Sequence, residues 1–517
     1  MEHGMKESQH IAAPFAWGFA AIVCLLLSYH AHTHITGHPT DGDSRQNLKM
    51  AYNLYANGAL SLDSQAPFKA SNVREPLPPF VTAFFIALYP DLGLQLARDG
   101  VLQDHGIAHG EGARWVKQVN VIWILLGLSG CWVLAYSVCG SHRAAIVVVV
   151  AAYLFFFSVR TTNDPLNIRV FNDSLYTELP AAVLMLWTGM TMVWLTRSSG
   201  VLPPALSGLL LGFLALTKAA FLFVFAALLP LLIAYYVVVR RDLKAPTRWG
   251  SIALFCIGFI IVVLPWMARN QVQLDRFEIA ERGGLTLYVR ALKDQMTSDE
   301  TVGAYWYWGP RLYQRLVRGT PLGASDGDFA VGGRFERVNR YRLGGDKEAA
   351  LAGKPEGAVS FYWHARAVNI GWVKRFEAMG VPDPKHAADG VVQQQAERMI
   401  FDAPGRHLAM TPLFLWRGIW CFREDPLPYQ LWGYQAYTVN VINALAYLSL
   451  FCVFGYAVAR RRYDLLAMTV VPLAMLGFYA LLSHNIPRYA APAIPIMLAS
   501  LALIVCGAFS HWRKQRG

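Results

Sequence analysis

Ten apolar runs of spanning length recur along the chain, at about 11–29, 115–138, 143–158, 174–195, 203–217, 219–239, 249–268, 436–458, 464–483 and 489–510. A hydrocarbon core about 30 Å thick calls for roughly 20 predominantly apolar residues per helix. Within it every backbone polar group must be satisfied inside the segment, so a chain built this way folds as a helical, polytopic membrane protein. Composition agrees. Only 15% of the 517 residues are charged and 55% are hydrophobic, where a soluble domain carries about 25% charged residues.

The formal charge of +12 does not point to nucleic acid, because the basic residues sit in short clusters between apolar runs and form no single stripe. An eleventh run, "PFVTAFFIALYP" from Pro79 to Pro90, is short and proline-bounded, which suits a re-entrant or interfacial helix. If it does not cross, His142 and Arg143, Arg197, the group Arg240, Arg241, Lys244 and Arg248, the triplet Arg460 to Arg462 and the tail "WRKQRG" fall on one side. The positive-inside rule makes that side cytoplasmic. The opposite side then receives residues 30–114, the loop 159–173, the turn at Lys218, a long segment 269–435 and "SHNIPRY". The first run, with a barely basic start and no small-residue cleavage pattern, reads as an uncleaved helix. The seven cysteines lie in or beside apolar runs without CxxC spacing, so no structural disulfide is expected.

Three parts follow. Residues 1–268 form an N-terminal transmembrane module with a first extracytoplasmic loop 30–114, residues 269–435 a mixed extracytoplasmic domain ending in a juxtamembrane amphipathic helix, and residues 436–517 the C-terminal spans. No internal repeat is apparent, which gives no support to repeat-built transporter folds.

Charge near the outer face is where chemistry is expected. "DSRQNLKMAYNLYANG" opens with Asp43 and reads as a short surface helix ended by Gly58; Asp43 or Ser44 is its cap, or Asp43 has a further role. "NVREPLPPF" brings Arg74 and Glu75 to the same face. Glu178, in "LYTELPAA", lies a turn inside an apolar run, where a carboxylate is costly unless it faces a polar cavity. Lys218 separates two apolar runs and must find a partner or snorkel to the headgroups. "LPWMARNQ" places Arg269 at a span's end, and "HNIPRYAAPAIP" places Arg488 and Tyr489 at the start of the last one. "HAHTHITGH" carries four histidines at no specific metal-ligand spacing. "YWYWGP" offers rings to a sugar face, although aromatic residues are also common at membrane interfaces. Several acids and cations beside helices that can admit a lipid tail suit a substrate with a phosphate head and a hydrocarbon tail.

The order of these motifs resembles that of GT-C glycosyltransferases, in particular the bacterial branch similar to protein O-mannosyltransferases and lipid A aminoarabinose transferases. The likeness runs from "DSRQNLKMAYNLYANG" and "REPLPPF" through "LYTELPAA", "GLLLGFLALTK" and "LPWMARNQ" to "AERMIFDAPGRHLAMTPLFLWRGIW" and "RYAAPAIP". It implies a GT-C-like fold of about ten transmembrane helices in a bacterial inner membrane, with the active site on the extracytoplasmic face. It also implies inverting transfer from a polyprenyl-phosphate-linked sugar to a lipid, glycan or protein acceptor. Asp43, Glu75 and Glu178 are then the catalytic carboxylates, with Asp43 the base; Arg74, Lys218, Arg269, Arg488 and Tyr489 are the donor-phosphate set. Glu178 is alternatively a sugar contact, a positioning group, or a ligand for a divalent metal. The sequence departs from the family at Ser44, where many members have Glu, and at Lys218, where many have Arg. Two rival readings are a secondary transporter for an anionic solute, which calls for functional charge on both faces, and a non-catalytic member that binds polyprenyl phosphate.

Overall fold

A computed structural model describes residues 2–38, 42–103, 110–159, 172–281, 283–342, 344–420 and 435–516. Each apolar run expected to cross is helical in it, and no strand occurs among the described residues. Eight helices have the length and hydropathy of a membrane span: Phe15–His34, Gly110–Cys139, Glu178–Arg197, Ala220–Val239, Ala245–Leu274, Val441–Ala459, Tyr463–Leu482 and Pro487–Gly507. The other two expected crossings are the shorter apolar helices His142–Phe157 and Leu202–Ala215. The second, with 14 residues, reaches roughly 21 Å at 1.5 Å per residue, short of a full hydrocarbon core.

The proline-bounded run becomes two helices, Leu77–Leu88 and Pro90–Arg98, meeting at 108°. Pro90 causes the break. The residue before a proline is pushed out of helical geometry, and Tyr89 accordingly sits at φ −130°, ψ 78°.

The chain divides into two compact units. The larger comprises Met1–Ala280, Leu445–Ala474 and Ala491–Gly517, and the smaller Glu281–Ala444 and Met475–Ala490.

In the larger unit, the Leu202–Ala215 and Ala245–Leu274 helices approach backbone to backbone. A methyl group added at Gly208 would strike the carbonyl of Phe255, and one at Gly258 that of Ala205. Small residues permit such close packing where lipid supplies no hydrophobic drive between helices. One end of this bundle is basic and tied together: Arg197 donates to Asp464 at 2.7 Å and to the carbonyl of Ser137 at 3.0 Å, and Arg240 donates to the carbonyl of Ser198 at 3.2 Å.

The segment 269–435 was expected to be a mixed domain; the regular elements among its described residues are all helical. Its core is aromatic. Trp306 stacks on Phe329 at 5.5 Å, and Trp308 packs at 5.8 Å from Phe414. Both tryptophans of "YWYWGP" are buried, so they serve packing and do not form an exposed sugar platform. The juxtamembrane stretch is the Pro404–Ile419 helix, and its buried residues His407, Met410, Leu413, Phe414 and Arg417 recur at the spacing of one helical face.

Candidate active site

In the larger unit the end opposite the basic one gathers five of the sequence-predicted residues. Asp43 lies in the first turn of the Gly42–Asn57 helix, which Gly58 ends with φ +68°. Its carboxylate forms an ion pair with Arg74. Arg74 is also fixed by Nε donating to Gln46 Oε1 at 2.8 Å, one turn further along the same helix. The next residue, Glu75, accepts from the Ala219 N–H at 3.5 Å, and the Leu77 N–H donates to the carbonyl of Leu216 at 3.0 Å. These contacts tie the "REPLPPF" turn to the turn that carries Lys218. Lys218 Nζ in turn donates to Glu178 Oε1 at 3.0 Å.

Burial separates the two pairs. The Lys218 and Glu178 side chains are 6% and 2% exposed, whereas Asp43 is 25% exposed over a nearly buried Arg74. A buried ion pair of this kind fixes geometry. Lys218 therefore does not snorkel, and the cost expected of Glu178 is met by a cation. Asp43 is the more accessible carboxylate of the two pairs.

Ser44, the departure from the family pattern, has a structural task. It is fully buried, and its Oγ accepts from the Leu175 N–H at 2.7 Å, while Asn47 Nδ2 donates to the carbonyl of Leu175, also at 2.7 Å. The helix that presents Asp43 is thereby latched to the segment leading into Glu178. Sequence reasoning also missed the pair Lys117–Asp173, at 3.1 Å and nearly fully buried. Asp173 accepts from the N–H and hydroxyl of Thr36 as well, so it anchors the chain ahead of Asp43. An apolar flank around Lys117 would not have signalled this; only the fold brings residues 36, 117 and 173 together. Asp41 lies outside the described residues.

Arg269 lies apart from these pairs, lining a cavity of about 560 Å³ with Leu54, Phe80, Leu216, Pro265 and Trp266. Its guanidinium stands 4.6 Å from the Trp266 ring centre and donates to Asn270 at 2.7 Å. The lining is mostly apolar, with Arg269 and Gln273 its polar side chains. Arg488 and Tyr489 belong to the smaller unit.

The histidine segment forms internal contacts: His30 stacks on His34 at 4.1 Å and bonds Tyr153 at 2.5 Å, and His32 bonds Gln118 at 2.8 Å. No group of three His, Cys, Asp or Glu residues suited to a metal ion occurs among the described residues.

No protein-family model matches the chain, and no curated protein matches it. The solved structures similar to it include those of three different proteins. The first is the oligosaccharyltransferase AglB from Archaeoglobus fulgidus in complex with an inhibitory peptide and a dolichol-phosphate, 12% identical over 99% of this chain and 51% of that one, TM-score 0.45. The second is ArnT from Cupriavidus metallidurans bound to undecaprenyl phosphate, 14% identical over 94% of this chain and 77% of that one, TM-score 0.34. The third is the arabinosyltransferase EmbB from Mycobacterium smegmatis, 15% identical over 94% and 41%, TM-score 0.33. The chain thus spans about half the length of the archaeal oligosaccharyltransferase, and at these overlaps none of the three assigns a role to a residue here.

Proposed function

We propose that the protein is a membrane glycosyltransferase that moves a sugar from a polyprenyl-phosphate-linked donor to an acceptor hydroxyl on a glycan, lipid or protein. The observation that carries this reading is the accessible carboxylate of Asp43 held by Arg74 beside a second, buried acid–base pair, with a cation-bearing apolar cavity in the same unit. By the positive-inside rule the basic end of the bundle is cytoplasmic, so these pairs face outward from a bacterial inner membrane.

In the reaction Asp43 takes the proton of the acceptor hydroxyl as that oxygen attacks the anomeric carbon. The bond from that carbon to the phosphate oxygen breaks, its electron pair leaves on the polyprenyl phosphate, and the configuration inverts. Ion pairing with Arg74 aims the Asp43 carboxylate. Arg269 meets the charge that grows on the leaving phosphate, while the Leu54, Phe80 and Trp266 walls take the first isoprene units. Arg74 and Lys218, each committed to a carboxylate, act as positioning residues, as does Glu178. Glu75 orients the turn at Ala219.

Mass spectrometry of lipid-linked sugars and envelope glycans tests this in cells with the protein, without it, and with Asp43→Asn. The expected result is a polyprenyl-phosphate sugar that accumulates, and a glycan that loses the same sugar, in both deficient strains. Identical profiles with and without the protein overturn the reading.

A further inference from the structure

The smaller unit buries cations together. Lys293, which ends the Gly283–Lys293 helix, is 3% exposed, and its ammonium stands 5.0 Å from the centre of the Trp308 ring. The Arg417 guanidinium stands 4.3 Å from the same ring and donates to the carbonyl of His484 at 2.7 Å. The His484 ring lies 6.3 Å from Tyr362 and 5.9 Å from Tyr489. Arg340 stands 5.3 Å from Tyr362, and Arg488 6.0 Å from Tyr489. Segments distant in sequence thus deliver five basic groups to one ring-lined place.

Nearby cations of the same unit are treated differently. Arg290 pairs with Asp294, and Arg342 with Asp346 and Glu336, each of the latter two at 2.6 Å. Lys293 and Arg417 have no carboxylate partner among the described residues. Nδ1 of His484, in a residue 7% exposed, has no hydrogen-bond partner among them.

The electrostatics follow. Burial first, then Arg417, Arg340 and Arg290, holds the Lys293 amine well below its ordinary range. Burial, then Lys293, Arg417, Arg340 and Arg488, does the same to His484. Burial and Arg340 bring Arg417 down to about 9. Clustered buried cations either lose charge or receive an anion.

We propose that Lys293, Arg417 and His484, with Arg340 and Arg488 at the rim, form a binding site for a phosphate group, with the Trp308, Tyr362 and Tyr489 rings flanking what the phosphate is attached to. Several convergent donors, two or more of them planar guanidinium forks, match a multiply charged tetrahedral anion, whereas a single carboxylate would be satisfied by one arginine. Arg340 is half-buried and its neighbour Tyr341 is 56% exposed, so the site opens at that edge. Arg488 and Tyr489, which the family resemblance counts in the donor-phosphate set, stand only at its edge; Lys293, Arg417 and His484 carry the inference, which does not depend on sugar transfer.

The test uses the full chain in nanodiscs of neutral lipid, with the thermal midpoint followed at constant ionic strength as inorganic phosphate or glucose 1-phosphate replaces chloride. Either phosphate should raise the midpoint saturably, and Lys293→Met should weaken the apparent affinity at least about tenfold. Tighter binding of glucose 1-phosphate than of inorganic phosphate supports the flanking rings; equal affinity supports a phosphate site and removes the rings from it. Asp43→Asn should respond as wild type does, which separates failure here from failure of the glycosyltransferase reading. If Lys293→Met does not fold, His484→Gln carries the same expectation. A wild-type midpoint no more sensitive to phosphate than to chloride, or a folded Lys293→Met with a full response, overturns the proposal.

Discussion

The larger unit pairs buried cations with acids, whereas the smaller unit does so at Arg290 and Arg342 but not at Lys293 and Arg417. In the larger one Lys117 meets Asp173, Arg74 meets Asp43 and Lys218 meets Glu178. In the smaller one Lys293 and Arg417 share the face of Trp308 and are surrounded by other cations. A buried cation with an acid beside it is a construction element, since the pair is neutral and each member fixes the other. A buried cation among cations is complete only when something negative arrives. Burial alone therefore does not distinguish scaffold from site; the sign of the neighbours does.

Four substitutions test that contrast, beginning with the one of largest effect. Asp43→Asn keeps the shape of the side chain and removes its ability to take a proton, so transfer by the purified protein should fall by about 10²–10⁴-fold while insertion is unchanged. A near wild-type rate would reduce Asp43 to a helix cap, a task Asn performs about as well.

Lys218→Met strands the Glu178 carboxylate in an apolar surrounding and should destabilise the protein by about 3–5 kcal/mol, most of it recovered when Glu178→Gln is added. Thermal unfolding in detergent measures both, and a single variant as stable as the double would show that the pair holds nothing.

Ser44→Ala leaves the buried Leu175 N–H unsatisfied and should cost about 1–3 kcal/mol. Transfer should fall less than in Asp43→Asn, because the substitution loosens a latch and removes no reacting group.

Lys293→Met is expected to have the opposite sign. Without phosphate it should raise stability on the order of 1 kcal/mol, since one cation leaves a cationic cluster. The pH dependence follows from the lowered values. Lys293 and His484 sit below their ordinary 10.5 and 6.5 in the folded state, so the folded chain binds fewer protons than the unfolded one and stability rises with pH up to those values. The part of that rise between about pH 7 and pH 10 should flatten in Lys293→Met. A variant less stable than wild type, with its slope intact, would mean that an acid faces Lys293 after all.

Part of the candidate site was legible in the sequence for a physical reason. Charges are rare in apolar runs because lipid penalises them, so Glu178 and Lys218 stand out in "LYTELPAA" and "LALTKAA" without any structure. Their partnership across 40 positions is not in the pattern. Nor is the task of Ser44, which in sequence reads as a missing acid and in the fold is a hydrogen-bond acceptor for Leu175. Lys293, Arg340 and Arg417 drew no notice, since a charged residue in a polar segment looks like solvated surface.

By itself the sequence determined what depends on local composition. Helical spans arise where long apolar runs leave the backbone no partner but itself, Pro90 breaks the proline-bounded run, and the basic clusters fix which end of the bundle should face inward. The tertiary structure alone decided which charges meet. Pairing depends on distances of a few ångströms between residues tens to hundreds of positions apart, and only packing sets those. Gly208 and Gly258 allow two helices to close on each other, and contacts of that kind determine whether a lysine finds a glutamate, as Lys218 does, or a ring and another cation, as Lys293 does.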